Sequence, residues 1–394
     1  MKFHVVNLGC KVNKAESDAI TANLLAQGNS LVGEEEADTI IINTCTVTGD
    51  AEKKTRKAVR HALRENLHAS VIVTGCAAVI DPGFYQGLDP RISVVQKDKL
   101  TRGSDALRVG ELFPQRVSVK VQDGCNHACT YCIVHIARGK AWSRPLDEIR
   151  SEVRALEAAG IHEVMLSGID LGSYSYESSH LDDLLELLLE STDEMRFRIS
   201  SIEPCSISDR TIDLMANAQG RICRHLHVPL QAGSSKVLSE MNRPYNAAFY
   251  GKLVDRLYAA MPELSLSTDI IVGFPGETDD DYHETLKMAK HARFSKIHAF
   301  RYSMREGTPA AARSDQIDPR IKEQRLRTLF DLADELRLRD AQRRIGTIEE
   351  ILIEQPGIGT SESYFRVEVP ADLQVGSLVP LSLTAVDSSC IMRA

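Results

Sequence analysis

Residues 123–133 read DGCNHACTYCI, and within them Cys125, Cys129 and Cys132 stand in the spacing C-x3-C-x2-C. Three thiolates at that spacing reach three irons of a cubane 4Fe–4S cluster. With no fourth protein ligand nearby, one iron stays open to an exogenous ligand. Zinc is the alternative, but structural zinc takes four closed ligands, usually in C-x2-C pairs. His127 sits inside the loop, where reaching the same metal would strain it.

Three more cysteines each close a short apolar run: FHVVNLGC at Cys10, TIIINTC at Cys45 and VIVTGC at Cys76. Runs of this kind, separated by helices over 16–26 and roughly 50–65, predict buried parallel strands. A further strand is expected in ISVVQKD. Ligands of an open α/β sheet sit beyond the carboxyl ends of its strands. The three thiols are therefore expected to converge on one sheet edge as a second three-ligand cluster site. The helix after Cys45 carries Lys53, Lys54, Arg56, Lys57, Arg60 and Arg64, either a solvated face or, beside such an edge, a contact for RNA phosphates.

From residue 113 the pattern is strand, loop, helix, repeated. Strands are expected at 117–122, 163–167, 196–201, 224–229, 265–272 and 297–302. Helices are expected near 145–159, 181–190, 208–218, 247–260 and 278–291, the last opened by a capping box of Thr278 and Asp281. Six units predict a partial (β/α)6 barrel. Chemistry in such barrels collects at the carboxyl ends of strands, where SGIDLGSY, SSIEP, PLQAGS and VGFPGE lie. Cys205 and Cys223 have no partner spacing and read as partly buried thiols. Residues 320–344 predict an amphipathic helix with Leu326, Leu329, Leu332, Leu336 and Leu338 on its apolar stripe. Its arginines are either a solvated face or phosphate contacts. The last stretch, 345–394, predicts a small antiparallel β-barrel that folds on its own core, beside a barrel that buries its own.

The cysteine triplet resembles the radical S-adenosylmethionine (SAM) superfamily. In that family the open iron chelates the amino and carboxylate groups of SAM, and the aromatic position of Tyr131 packs near the adenine. The resemblance implies further SAM contacts from Ser200, Glu203 and Gly273. The tail resembles a TRAM domain, although after Arg344 only Arg366 and Arg393 are basic. Cys10/Cys45/Cys76, the triplet and the tail together resemble the methylthiotransferase family along essentially the whole chain. Resemblance implies a methylthiotransferase N-terminal domain over 1–112, a radical SAM core over 113–344 and a TRAM-like domain over 345–394. It implies two 4Fe–4S clusters and SAM. The Cys125/Cys129/Cys132 cluster would reduce SAM to a 5′-deoxyadenosyl radical that abstracts hydrogen from the substrate carbon. The Cys10/Cys45/Cys76 cluster would hold the sulfur, and a second SAM would supply the methyl group.

GCKVN at 9–13 resembles the branch that methylthiolates carbon 2 of N6-threonylcarbamoyladenosine at position 37 of tRNA, next to the anticodon. The isopentenyladenosine branch commonly shows Gln and Met after the cysteine, and the ribosomal-protein branch differs again. Arg138, Gly139, Ser143 and Arg144 match the family, whereas His135 and Trp142 depart from it. A noncatalytic iron–sulfur RNA-binding sensor is the reading of another class, and the strand-end set argues against it. Implied partners are tRNA, an electron donor such as flavodoxin or ferredoxin, and a sulfur donor.

The 394 residues exceed one ordinary core, and 43% hydrophobic with 26% charged residues is a globular composition. No apolar run is long enough for a transmembrane helix, and MKFHVVNLGC lacks a signal-peptide core. A cytoplasmic monomer is expected. Nine cysteines in such a chain favour metal binding over disulfides. The net charge of -8 argues against a nonspecific nucleic-acid coat.

Overall fold

A computed structural model describes residues 1–46, 49–96, 100 and 115–394, without the side chain of Asp50. The expected boundary between 112 and 113 and the end of the ISVVQKD run lie outside the described residues.

Strands β1 (Lys2–Asn7), β2 (Ser30–Leu31), β3 (Thr39–Thr44), β4 (Ser70–Gly75) and β5 (Ile92–Val94) form a parallel sheet in the order β2-β1-β3-β4-β5. This is a doubly wound arrangement. Every residue of β3 is buried, and its side chains alternate between faces. Ile41 joins Phe3, Ile20 and Leu24 under helix α1 (Lys11–Ala26). Ile40 and Ile42 join Val59 and Ala62 of helix α2 (Gly49–Glu65) on the other face.

Two departures from expectation occur at the start. β1 stops at Asn7 rather than running to Cys10, and α1 begins at Lys11 rather than residue 16. Cys10 is the extended residue before the helix, and its side chain caps nothing. Without Ser, Thr, Asp or Asn at that position, the usual start signal is missing from the sequence.

β6 (Arg116–Lys120) is followed by the ribbon β7 (Gln122–Asp123) with β8 (Trp142–Ser143). Then come β9 (Glu163–Ser167), the hairpin β10 (Ser175–Tyr176) with β11 (Ser179–His180), β12 (Arg196–Ile199), β13 (His225–His227), β14 (Ser265–Val272) and β15 (Lys296–Arg301). Parallel pairing runs β6-β9-β12 and β13-β14-β15, and bridges Phe197–Ile222 and Ser201–His227 join the two halves. The result is the expected six-stranded open barrel. Among the described residues no pairing closes β15 onto β6. Instead α1 packs along β6, so the N-terminal unit stands at the open side. Thr278 and Asp281 form the expected capping box before helix Asp279–Ala292.

The linker helix Pro319–Arg343 buries Leu329, Leu332 and Leu336, with Leu326 and Leu338 partly buried. Two of its end arginines are structural. Arg325 pairs with Glu277 and Asp279, and Arg344, just past the helix, pairs with Asp340 and Glu349.

The tail forms six strands: β16 (Ile348–Gln355), β17 (Ile358–Ser361), β18 (Arg366–Glu368), β19 (Leu378–Ser382), β20 (Ala385–Val386) and β21 (Met392–Arg393). They curl in the order β19-β16-β17-β18-β21-β20, all antiparallel except β18 with β21. The tail has its own core around Ile351, Phe365 and Met392, yet it is not separate from the barrel. Glu163, fully buried at the start of β9, receives Arg196 Nε at 2.7 Å and Arg198 Nε at 2.9 Å. Arg196 Nη1 and both terminal nitrogens of Arg198 donate to the tail's Glu350, Glu362 and Ser361 carbonyls at 2.8–3.0 Å. A buried guanidinium needs every donor satisfied, and here the tail supplies the acceptors. Cys223 is also wholly buried there, with Sγ 3.8 Å from Glu163, whereas Cys205 is exposed. Neither is the partly buried thiol that the sequence predicts.

Candidate functional site

β6 delivers the chain to the triplet loop. Gly124 has φ of +72°, and a Cβ there would lie 2.1 Å from the Lys140 carbonyl oxygen, so only glycine permits this turn. The Cys125 N–H donates to the Gly139 carbonyl at 3.1 Å. Thr130 and Asn242 tie the loop to residues beyond β13: Thr130 Oγ1 donates to the Glu240 carbonyl, and Asn242 Nδ2 to the Ala128 carbonyl, both at 2.9 Å.

Each triplet sulfur accepts one hydrogen bond. The His127 N–H reaches Cys125 and the Val134 N–H reaches Cys132, both at 3.4 Å. Arg243 Nη1 reaches Cys129 at 3.1 Å. Burial raises the thiol pKa of Cys125 and of Cys129, and pushes Cys132 up to about 11. Ligation must therefore displace protons, the usual coupling at a thiolate site. Among the described residues no group of three or more His, Cys, Asp or Glu side chains closes on a single metal ion. A mononuclear zinc needs such a group, whereas cubane ligands attach to separate irons. The all-sulfur donor set with N–H donors to sulfur fits an iron–sulfur cluster. His127 is turned away to Asp170, at 3.2 Å, and that hydrogen bond raises its pKa.

The triplet opens into a cavity of about 610 Å³. Tyr131, Ser200 and Glu203 line it. Ser200 is 3% exposed and its Oγ has no hydrogen-bond partner, an orphaned polar atom suited to a ligand hydroxyl. Glu203 is buried, which raises its carboxyl pKa even though Arg243 pairs with it. Gly273 does not line the cavity. Its N–H donates to Glu277 at 2.7 Å, and its α-carbon faces Lys322 of the linker helix. Arg243 is the residue that sequence reasoning missed. It lines the cavity and bridges Cys129 to Glu203, but in the sequence it is one arginine before a proline.

The second set lies at the carboxyl edge of the N-terminal sheet. Cys45 follows β3 directly and Cys76 follows β4, with Thr44 and Gly75 in register. Cys10 follows β1, across the point where the strand order reverses. The buried guanidinium of Arg138 feels both Cys76 and Cys10. It donates to Glu16 at 3.0 Å, Asp123 at 2.8 Å and Asn13 at 2.6 Å. Arg138 thus joins α1 to the triplet loop. Cys10 and Lys11 line the same cavity as the triplet, while Cys45 and Cys76 are buried behind. Desolvation, then the guanidinium groups of Arg198 and Arg116, lower the Lys11 ammonium to about 8.

An open six-stranded barrel with a sulfur triplet after its first strand defines a radical SAM protein, and residues 119–289 match the Radical SAM superfamily. Residues 2–95 match the family described as Uncharacterized protein family UPF0004. The chain is 36% identical over 392 residues to the threonylcarbamoyladenosine tRNA methylthiotransferase MtaB of Bacillus subtilis, covering 91% of this chain and 86% of that protein. It is 32% identical over 418 aligned residues to the MtaB of Rickettsia prowazekii, covering 98% and 96%. The radical SAM methyltransferase TsrM of Kitasatospora setae shares the fold, with a TM-score of 0.58 at 16% identity over 79% of this chain and 77% of that one. The chain belongs to the radical SAM methylthiotransferase family.

Proposed function

We propose that this enzyme transfers a methylthio group to carbon 2 of N6-threonylcarbamoyladenosine at position 37 of tRNA. One observation carries the reading: Cys10 and the Cys125/Cys129/Cys132 triplet open onto a single cavity, so one substrate carbon can meet both sites. Cys125, Cys129 and Cys132 would hold one 4Fe–4S cluster, and Cys10, Cys45 and Cys76 the other. When bound, the first supplies the electron that cleaves SAM and the second carries the sulfur.

The chain's own residues bind and orient. Tyr131 packs on the adenine side, Ser200 and Glu203 take ribose hydroxyls, and Arg243 holds Glu203 in place. Lys53, Arg56, Lys57, Arg60 and Arg64 border a shallow hollow on α2 and are suited to RNA phosphates. The TRAM-like tail, 345–394, completes a three-part chain with the sulfur-site domain at 1–112 and the radical SAM core at 113–344. A monomer served by a flavodoxin or ferredoxin and a separate sulfur donor fits this scheme.

The test is nucleoside mass spectrometry of tRNA from a strain lacking the gene. Loss of 2-methylthio-N6-threonylcarbamoyladenosine, with its unthiolated precursor accumulating, is expected. An unchanged level, or loss of the isopentenyl product instead, would overturn the substrate assignment.

A further inference from the structure

Lys11 directly follows Cys10, opens α1 and lines the same cavity as the triplet. Its Nζ has no hydrogen bond or ion-pair partner among the described residues. Beneath it lies the ring of Tyr364, contributed by the tail, with Nζ 5.1 Å from the ring centre. The same ring carries the guanidinium groups of Arg198 at 4.5 Å and Arg116 at 5.1 Å. Those arginines are already engaged. Arg198 is committed to Glu163 and two tail carbonyls, and Arg116 lies 3.5 Å from Glu163 and 3.3 Å from Glu354. Asp269, the carboxylate facing Lys11, is paired with His227 at 3.4 Å. An ammonium on the wall of the cavity, crowded by cations and without an acceptor among the described residues, is suited to an incoming anion.

The chemistry of the substrate supplies one. A threonylcarbamoyl substituent ends in a free carboxylate, whereas a dimethylallyl substituent is hydrocarbon. Position 11 adjoins the cysteine assigned to the sulfur site, so its side chain lies within reach of a substituent on the base presented there.

We propose that Lys11 Nζ binds the carboxylate of the threonylcarbamoyl group and thereby selects this base over one with an apolar substituent. The proposal rests on the tRNA reading above. SAM also bears a carboxylate, and the experiment separates the two sources.

Anticodon stem-loop RNAs would carry N6-threonylcarbamoyladenosine, its carboxylate methyl ester, or unmodified adenosine at position 37. Binding to the reconstituted holoenzyme is measured without SAM, and SAM affinity is measured separately. Wild-type protein is expected to bind the acid about ten-fold or more tighter than the ester, the scale of a charge-assisted hydrogen bond. Lys11→Gln should bind acid and ester equally, and Lys11→Arg should keep part of the preference. A Lys11→Gln protein that retains the preference, or that weakens on all three RNAs alike, overturns the assignment. So does a fall in SAM affinity with the RNA preference intact. Wild-type protein that binds the threonylcarbamoyl RNA no better than the unmodified one defeats the substrate reading itself.

Discussion

Arg243 Nη1 lies 3.1 Å from Cys129 Sγ while its other terminal nitrogen pairs with both oxygens of Glu203, so one guanidinium ties the triplet loop to a buried carboxylate of the cavity wall. Removing it would leave Glu203 buried without its counter-charge, a change that typically costs about 3–5 kcal/mol. Arg243→Ala is expected to lower SAM cleavage to 5′-deoxyadenosine on the order of 10²-fold, the scale of losing one preorganised charge partner. Arg243→Lys should recover part of it. Quantifying 5′-deoxyadenosine under single turnover checks this, and undiminished cleavage in Arg243→Ala would refute it.

The two cysteine sets should separate cleanly. Replacing Cys10, Cys45 and Cys76 together by Ala should leave roughly four irons per chain by cubane stoichiometry. SAM cleavage should continue and methylthiolation should stop. Cys125→Ala should abolish cleavage itself. If the first three were only packing residues, iron would be unchanged and stability would fall by about 1–3 kcal/mol per buried site. Iron analysis beside nucleoside analysis decides.

Deleting 345–394 should not yield a sound two-domain enzyme. Arg196 and Arg198 would lose the Glu350, Ser361 and Glu362 carbonyls, and each unsatisfied buried donor carries a penalty of about 1–3 kcal/mol. The truncated chain is expected to melt at a lower temperature or to precipitate, and SAM cleavage should fall with it. A truncation with the full-length melting temperature would contradict this.

Acid should weaken the same joint. Burial alone would raise the Glu163 pKa, but Arg196, Arg198 and Arg116 outweigh it and hold the carboxyl far below the ordinary range. A carboxylate whose folded pKa is depressed contributes stability above its unfolded value, about 4.3, and loses it as pH falls toward the folded value. Glu163→Gln should therefore be less stable than wild type at neutral pH, and the difference should shrink below about pH 4. Urea unfolding across pH 3–7 tests the sign, and a constant difference would exclude the ion cluster as its source.

Much of this was legible in the sequence because it depends on local pattern. The strand-end cysteines follow from apolar runs, and β9, β14 and the helix Ala247–Ala260 fall at the expected residues. What was not legible depends on side chains meeting across long stretches of chain. Arg243 meets Cys129 from 114 residues away, and Arg198 finds its tail acceptors from 164 and 163. Lys11 is a branch marker in the sequence, and its place above Tyr364 appears only once α1 packs on the open barrel. The turn at Gly273 reads as a ligand loop in the sequence, whereas its N–H serves Glu277 in the fold.

Arg138 joins Asn13 and Glu16 of α1 to Asp123 of the triplet loop through one buried guanidinium. Prising the N-terminal unit from the barrel would strand that charge, so parting the two units at this seam would cost about 3–5 kcal/mol. Traffic must then pass through the mouth of the cavity.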